Sequence, residues 1–313
     1  MSGLAALSID LDALRHYHRI HGLPDPPAGA GPDPVYAKAT ARFGELCARL
    51  GVRGTVFAVG EELADPAAAA AVRALARGGH EIANHTFSHD YALTRLPADA
   101  LAAEVARGAA AIAAAVGTPP CGFRAPGYTL TAPLLAALAA QGYRYDSSAF
   151  PAAPYWLAKA AVMGLLALRG RPSRAILDRP RVLAAPRAPY RPDPAEPYRP
   201  GPATAGAAPG LLELPITTGL LGFPLIGTFV ATLPPGLLRA ARAGTSRLPL
   251  FNLELHGVDL LDASDTRPEL SARQRDLRAP ASRKLAAIEA FARSLGRSWR
   301  PLAEVPAALG VQG

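Results

Sequence analysis

Short apolar runs rich in β-forming residues alternate with helix-period spacings along nearly the whole chain. LAALSID predicts a first strand, and a loop rich in proline and glycine, GLPDPPAGAGPDP, follows it. In VYAKATARFGELCARLG the spacing puts Phe43, Leu46, Cys47 and Leu50 on one helical face, with Gly51 as the stop. GTVFAVG is the second predicted strand, a helix fills about 65–77, and HEIAN is the third strand. An alanine-rich helix is expected over about 97–116, then a strand at GFRAP, a helix over 131–141 and a fifth strand at YRYDSS.

The rhythm breaks at 151–209, where an apolar helical piece, YWLAKAAVMGLLAL, runs into the proline- and arginine-rich APRAPYRPDPAEPYRPGPATAGAAPG. This segment reads as an insertion whose second half is extended or mobile. Alternation resumes with GLLELPIT, a helix near 234–242, LFNLELHG, a helix over about 281–295 and SWRPLAEV. Some seven strands, each usually followed by a helix, argue for a parallel α/β domain, either doubly wound or closed into a barrel. The expected organisation is one domain over 1–313 with the insertion inside it.

The 313 residues suffice for a large core, and the net charge of +8 raises a nucleic-acid or anionic-membrane reading. Only Lys38, Lys159 and Lys284 are lysines, and no basic run is interleaved with aromatics, so nucleic-acid binding is not expected. Cys47 and Cys121 are too few for a disulfide framework. The opening MSGLAALSIDLD has no basic head and reaches two aspartates early, so a signal peptide is not expected and a cytoplasmic location is. LLELPITTGLLGFPLIGTFVATL (211–233) is broken by Glu213, Pro215 and Pro224; a buried strand and an apolar loop are expected there rather than a membrane span.

Candidate chemistry starts from HEIANHTFSH, where His85 and His89 stand four apart; on a helical turn that spacing would put both imidazoles on one face, within reach of one metal ion. Polar residues also recur at the predicted strand ends: Asp10 and Asp12, His85 and His89, Arg124, Asp146, Glu213 and His256. In parallel α/β folds those ends gather the site. Asp10 and Asp12 are two apart, so in extended backbone their carboxylates project to one side, and carboxylates so close repel unless a cation lies between them or one stays protonated. Two imidazoles and a carboxylate are a ligand set suited to catalytic zinc.

SIDLD, NHTFSH, FRAPG and LELHG, in this order, resemble the motifs of the polysaccharide deacetylases, the NodB-homology group of carbohydrate esterases. The resemblance covers roughly 4–150 and 210–305 and implies an α/β fold, a distorted (β/α) barrel of about seven parallel strands. It also implies a divalent-metal hydrolase that removes N-acetyl groups from amino sugars. By it, Asp12, His85 and His89 hold the metal, zinc first and other divalent transition metals as alternatives. Asp10 is the general base with Arg124 as its orienting partner, His256 is the general acid, and the Gly127 N–H helps bind the oxyanion. Asp146 or Glu213 supports His256 or Arg124. The first motif is Asp-x-Asp, where the commoner pattern has adjacent aspartates, and YDSS stands where a tryptophan-containing motif is usual.

The expected substrate is an N-acylated amino sugar or glycoconjugate precursor, lipid-linked and in peripheral contact with a membrane in one version. A deformylase, a cyclic ureide or imide hydrolase, and a non-catalytic sugar-binding module are the alternatives. His80 is expected to be a buried, hydrogen-bonded residue, and His16, His18 and His21 to be exposed loop residues, with a place at the pocket mouth as the alternative. Asp259 and Asp262 are expected in loop or capping roles. The run from Tyr155 to Leu168 is expected to pack against the barrel, with a lipid-facing surface as the alternative.

Overall fold

Residues 3–27, 31–168, 176–202 and 210–311 are described by the structure, a computed structural model. Its strands are β1 (Leu4–Asp10), β2 (Thr55–Ala58), β3 (Glu81–Asn84), β4 (Gly122–Phe123), β5 (Tyr145–Asp146), β6 (Leu212–Glu213), β7 (Leu250–His256) and β8 (Ser298–Trp299). Every pairing between these named strands is parallel, in the order β6-β5-β4-β3-β2-β1-β7, with β8 added alongside β1. The sheet curls into a half-barrel. Between its outer strands, Thr217 N–H donates to the Asn252 carbonyl at 3.2 Å, and Asn252 N–H donates to Thr217 Oγ1 at 2.7 Å. The α/β class and the curled parallel sheet expected from the alternation are therefore observed.

Helices α1 (Leu14–Ile20), α2 (Thr40–Leu50), α3 (Pro66–Arg77), α4 (Ala98–Val116) and α5 (Ala132–Ala140) follow the first four strands. Later come α6 (Ala153–Leu168), α7 (Gly227–Thr232), α8 (Pro235–Ala241), α9 (Pro268–Ser271), α10 (Ala281–Ser294) and α11 (Val305–Ala308). Asp65 caps α3 by accepting from Ala67 N–H, with Pro66 at the first helical position. The expected apolar face of α2 is buried, with Phe43, Leu46 and Cys47 in a core built with Leu7, Ile9, Val56 and Ile288. Strands lined by helices bury both faces, which is why LAALSID lacks a clean polar alternation.

Three expectations change. Residues 14–20 are helical rather than loop, so His16 and His18 are buried. Part of 211–233 is the helix α7, and Leu220 and Leu221 before it are exposed. The 85–89 stretch is not a helical turn: Thr86 and His89 both take left-handed backbone, with φ of 68° and 55°.

Past β5, α6 carries the apolar run, and residues 176–202 form a short 3-10 turn at Pro180–Ala184 and then an irregular run that is held to the sheet. Tyr190 exchanges backbone hydrogen bonds with Glu213 at 3.1 and 2.8 Å, and Tyr198 is buried. Residues 169–175 and 203–209, the remainder of that stretch, lie outside the described residues. Among the described residues no helix is long and apolar enough to cross a membrane.

Candidate active site

The interior of the half-barrel is polar because strand alternation aims chosen residues inward. Register sets Asp10 beside His256 and Ser8 beside Glu254, so two acids, an imidazole and a hydroxyl share one face of two adjacent strands. Arg124, directly after β4, reaches into this space and is fully buried. Its Nη1 donates to Asp10 Oδ1 at 2.5 Å, its Nη2 to Ser8 Oγ at 3.1 Å and Ser147 Oγ at 2.9 Å, and its Nε to the Ser147 carbonyl at 2.9 Å. The guanidinium also lies 4.0 Å from the centre of the Phe57 ring. A cation so enclosed fixes the Asp10 carboxylate in place.

The loop after β3 carries the two histidines. Their convergence comes from left-handed turns at Thr86 and His89, a strained arrangement held by neighbours. Thr86 Oγ1 accepts from His89 N–H at 3.0 Å, and Glu104 of α4 accepts from Ser88 N–H and Oγ–H, both at 2.5 Å. Gly108, one turn along α4, lets the helix approach this loop; a Cβ there would lie 2.4 Å from Asn84 Oδ1 and 2.8 Å from the Thr86 carbonyl carbon. His85 Nδ1 sits 2.7 Å from the Arg124 carbonyl, which turns Nε2 inward.

Nε2 of His85 and of His89 lie 3.3 and 3.1 Å from one oxygen, Asp12 Oδ1. That oxygen is buried and, among the described residues, no group donates a hydrogen bond to it. A buried carboxylate oxygen without a donor, faced by two ring nitrogens, fits a shared cation. Burial opposes charge on Asp12, but His89 and His85 outweigh it and hold its carboxyl well below the ordinary range. His89 is pushed down to about 4 by burial, against the pull of Asp12, so its ring favours the neutral form that a metal would need. His85 shifts upward because Asp10 and Asp12 overcome its burial.

A second group, Asp10, Glu254 and His256, also brings its ligand atoms within 4.8 Å of one another. Here the charges are already matched. Arg124 occupies Asp10, and Tyr128 O–H donates to Glu254 Oε1 at 2.7 Å. His256 Nδ1 is 3.2 Å from Glu254 Oε1, and its Nε2 is 3.1 Å from Tyr128 Oη and 4.0 Å from Asp12 Oδ2. Burial opposes charge on His256, but Glu254 and then Asp12 and Asp10 raise it to about 9. Burial pushes Glu254 up to about 7. The arrangement suits proton transfer better than metal binding.

Asp10, Asp12, His85, His89, Arg124 and His256 thus converge as their strand-end positions suggested. Gly127 sits in a left-handed turn, φ 70°, where a Cβ would meet the Tyr91 ring at 3.1 Å. Asp146 and Glu213 stand side by side in register on β5 and β6, next to the strand end that carries Arg124; burial and then Asp146 push the Glu213 carboxyl well above its ordinary range. Asp146 accepts from Ser148, Glu213 from Ala149 N–H, and neither has a hydrogen bond or ion pair to His256 or Arg124 among the contacts of the described residues. The carboxylate against His256 is Glu254. Its place two before His256 on a strand was a usable signal, because i and i+2 share a face. Tyr128 had no such signal.

The other histidines divide. His16 is buried, not exposed: its ring lies 4.3 Å from that of His89, its Nε2 is 3.5 Å from Glu62 Oε1, and burial lowers its pKa to about 4. His18 Nδ1 contacts the Pro24 carbonyl at 2.7 Å, His21 Nε2 contacts Gln274, and His80 Nδ1 accepts from Gly54 N–H. Asp259 accepts from His256 N–H at 2.8 Å, and Asp262 caps the turn at 263–265, the loop roles expected of them.

Fold and cluster together define a parallel α/β half-barrel with a buried acid–imidazole site at the carboxyl ends of its strands. The polysaccharide deacetylase family profile matches residues 30–145, a span holding His85, His89, Arg124 and Gly127 but not Asp10, Asp12 or His256. A candidate polysaccharide deacetylase from Mycobacterium smegmatis aligns over 99% of this chain and 91% of its own, at 18% identity and TM-score 0.58. A family 4 carbohydrate esterase from Streptomyces lividans, solved with acetate, shares 26% identity over 46% of this chain and 62% of its own, TM-score 0.35. A family 4 acetyl xylan esterase from Clostridium thermocellum, solved with cobalt, shares 17% over 99% and 93%, TM-score 0.48. No curated protein matches the chain. The likeness to polysaccharide deacetylases therefore holds for the profile of the central segment and for the fold.

Proposed function

We propose that the chain is a metal-dependent hydrolase of non-peptide C–N bonds that removes an N-acetyl group from an amino sugar or glycoconjugate. The observation that carries this reading is the pairing of a guanidinium-bound carboxylate, Asp10, with an imidazole that favours its proton, His256. They face each other in register beside the Asp12–His85–His89 trio.

A divalent cation held by that trio, zinc first among candidates, would polarise the acyl carbonyl and acidify water. Asp10 accepts a proton from the attacking water as its oxygen bonds to the carbonyl carbon, and Arg124 keeps the carboxylate aimed. The Gly127 N–H donates to the oxygen that gains charge. His256 then passes its proton to the nitrogen as the C–N bond breaks, so the amine leaves neutral, and Glu254 steadies the imidazolium before transfer. Acetate and the free amino sugar depart.

Acetate release from N-acetylhexosamine conjugates, measured beside N-formyl sugars and cyclic ureides or imides, is expected to favour the acetyl sugars and to stop with chelator. Preference for the formyl or cyclic compounds would move the chain to the neighbouring reactions, and binding without any turnover would make it a sugar-binding module.

The reading extends to a cytoplasmic, lipid-linked substrate. Leu157, Leu165 and Leu168 lie along one stripe of α6 and are 60%, 48% and 88% exposed, and Leu221 nearby is 86% exposed. Tyr155 and Trp156 instead pack inward, Trp156 Nε1–H donating to the Asp178 carbonyl. An exposed aliphatic stripe on the helix that carries Tyr155 and Lys159 suits an acyl chain at a membrane face. Vesicles with anionic lipid are expected to sediment the chain, and Leu165→Asp with Leu168→Asp to release it; sedimentation unaffected by the double change would contradict the extension.

A further inference from the structure

Lys159 is a cation without an assigned task. It stands one helical turn after Tyr155, so both side chains leave the same face of α6. Its Nζ lies 5.9 Å from the Tyr155 ring centre, and 3.9 Å from where a Cβ on Gly127 would be. From there the cluster is continuous: the Tyr155 ring lies 6.2 Å from the Tyr128 ring, Tyr128 Oη is 3.1 Å from His256 Nε2, and Tyr91, which also lines Gly127, packs 5.0 Å from His89. Among the described residues, Lys159 forms no hydrogen bond and no ion pair. Burial lowers its pKa to about 8, with Asp178 pulling the other way, so the ammonium still carries most of its charge at neutral pH.

A partly desolvated ammonium with Asp178 near but no anion in contact is unfavourable in the free protein, and a ligand that supplies a contacting anion relieves it. We propose that Lys159 binds an anionic substituent of the substrate, a phosphate or a carboxylate, next to the acyl group presented at Gly127. The assignment of the neighbouring acyl group rests on the deacetylase reading; the anion binding does not. A flexible lysine is a point charge that accepts either oxyanion, so its geometry leaves both sources open.

Calorimetric binding to the full chain separates them, using N-acetylglucosamine, N-acetylglucosamine 1-phosphate and N-acetylmuramic acid as probes. One or both charged sugars are expected to bind about tenfold or more tightly than the neutral one, as a single charge-assisted contact allows. The member of the pair that gains identifies the source. Lys159→Met is expected to erase that advantage while leaving affinity for the neutral sugar unchanged, and Lys159→Arg to restore part of it. Lys159→Gln repeats the test should the methionine variant fold poorly. Equal binding of all three sugars by the native chain would overturn the proposal, as would a loss in Lys159→Met shared equally by neutral and charged sugars. Because binding is read without turnover, these results stand whether or not acetate is released.

Discussion

Asp12→Ala is expected to lose specific zinc binding and to lower acetate release by roughly a thousandfold or more. In the structure one buried oxygen of Asp12 is the common neighbour of both imidazoles, and among the described residues the other carboxylate near them, Asp10, pairs with only one of the two, His85, at 3.7 Å. A Lewis-acid contribution of several kcal/mol is at stake, and about 4 kcal/mol corresponds to about three decades in rate. The variant also has a readout that needs no substrate. A ligand that binds only the folded chain raises its melting temperature with concentration. Zinc is expected to raise that of the native chain and to leave Asp12→Ala unmoved. Retained zinc stabilisation in the variant would remove Asp12 from the ligand set.

The second large effect separates base from ligand. Asp10→Asn is expected to keep zinc binding while turnover falls by about two to four decades, the range seen when a positioned proton acceptor is removed. Asparagine keeps an oxygen for Arg124 but no charge, so a fully buried guanidinium loses its counter-ion. Breaking such a pair destabilises by about 3–5 kcal/mol. The melting temperature is therefore expected to fall with the rate. Joint loss of metal and turnover would assign Asp10 to the cation, and unimpaired turnover would eliminate it as base.

Much of this site was legible because strand ends obey a simple rule. Asp10, His85, Arg124 and His256 follow or end strands that the hydrophobic pattern marks, and parallel sheets gather such positions. What failed depended on local backbone. The i, i+4 spacing of His85 and His89 suggested a helical turn, yet left-handed Thr86 and His89 bring the rings together, and sequence gives no period for such turns. The burial of His16 has no signal in the sequence, because its short helix follows the strand without a capping residue; Ala13 makes no side-chain cap. Asp146 and Glu213 share the strand-end signature and are neighbours in register on β5 and β6, and it is strand order that sets which inward acids adjoin. Glu254 was readable from its spacing to His256, whereas Tyr128 depends on a positive φ of 64° in a two-residue-long strand's exit.

Diffraction from crystals soaked in zinc, with anomalous differences collected at the zinc edge, tests the central arrangement most directly. The account predicts one strong peak at about 2.0–2.2 Å from an Asp12 carboxylate oxygen and from Nε2 of both His85 and His89. A peak among Asp10, Glu254 and His256 instead, or none in the barrel, would contradict it.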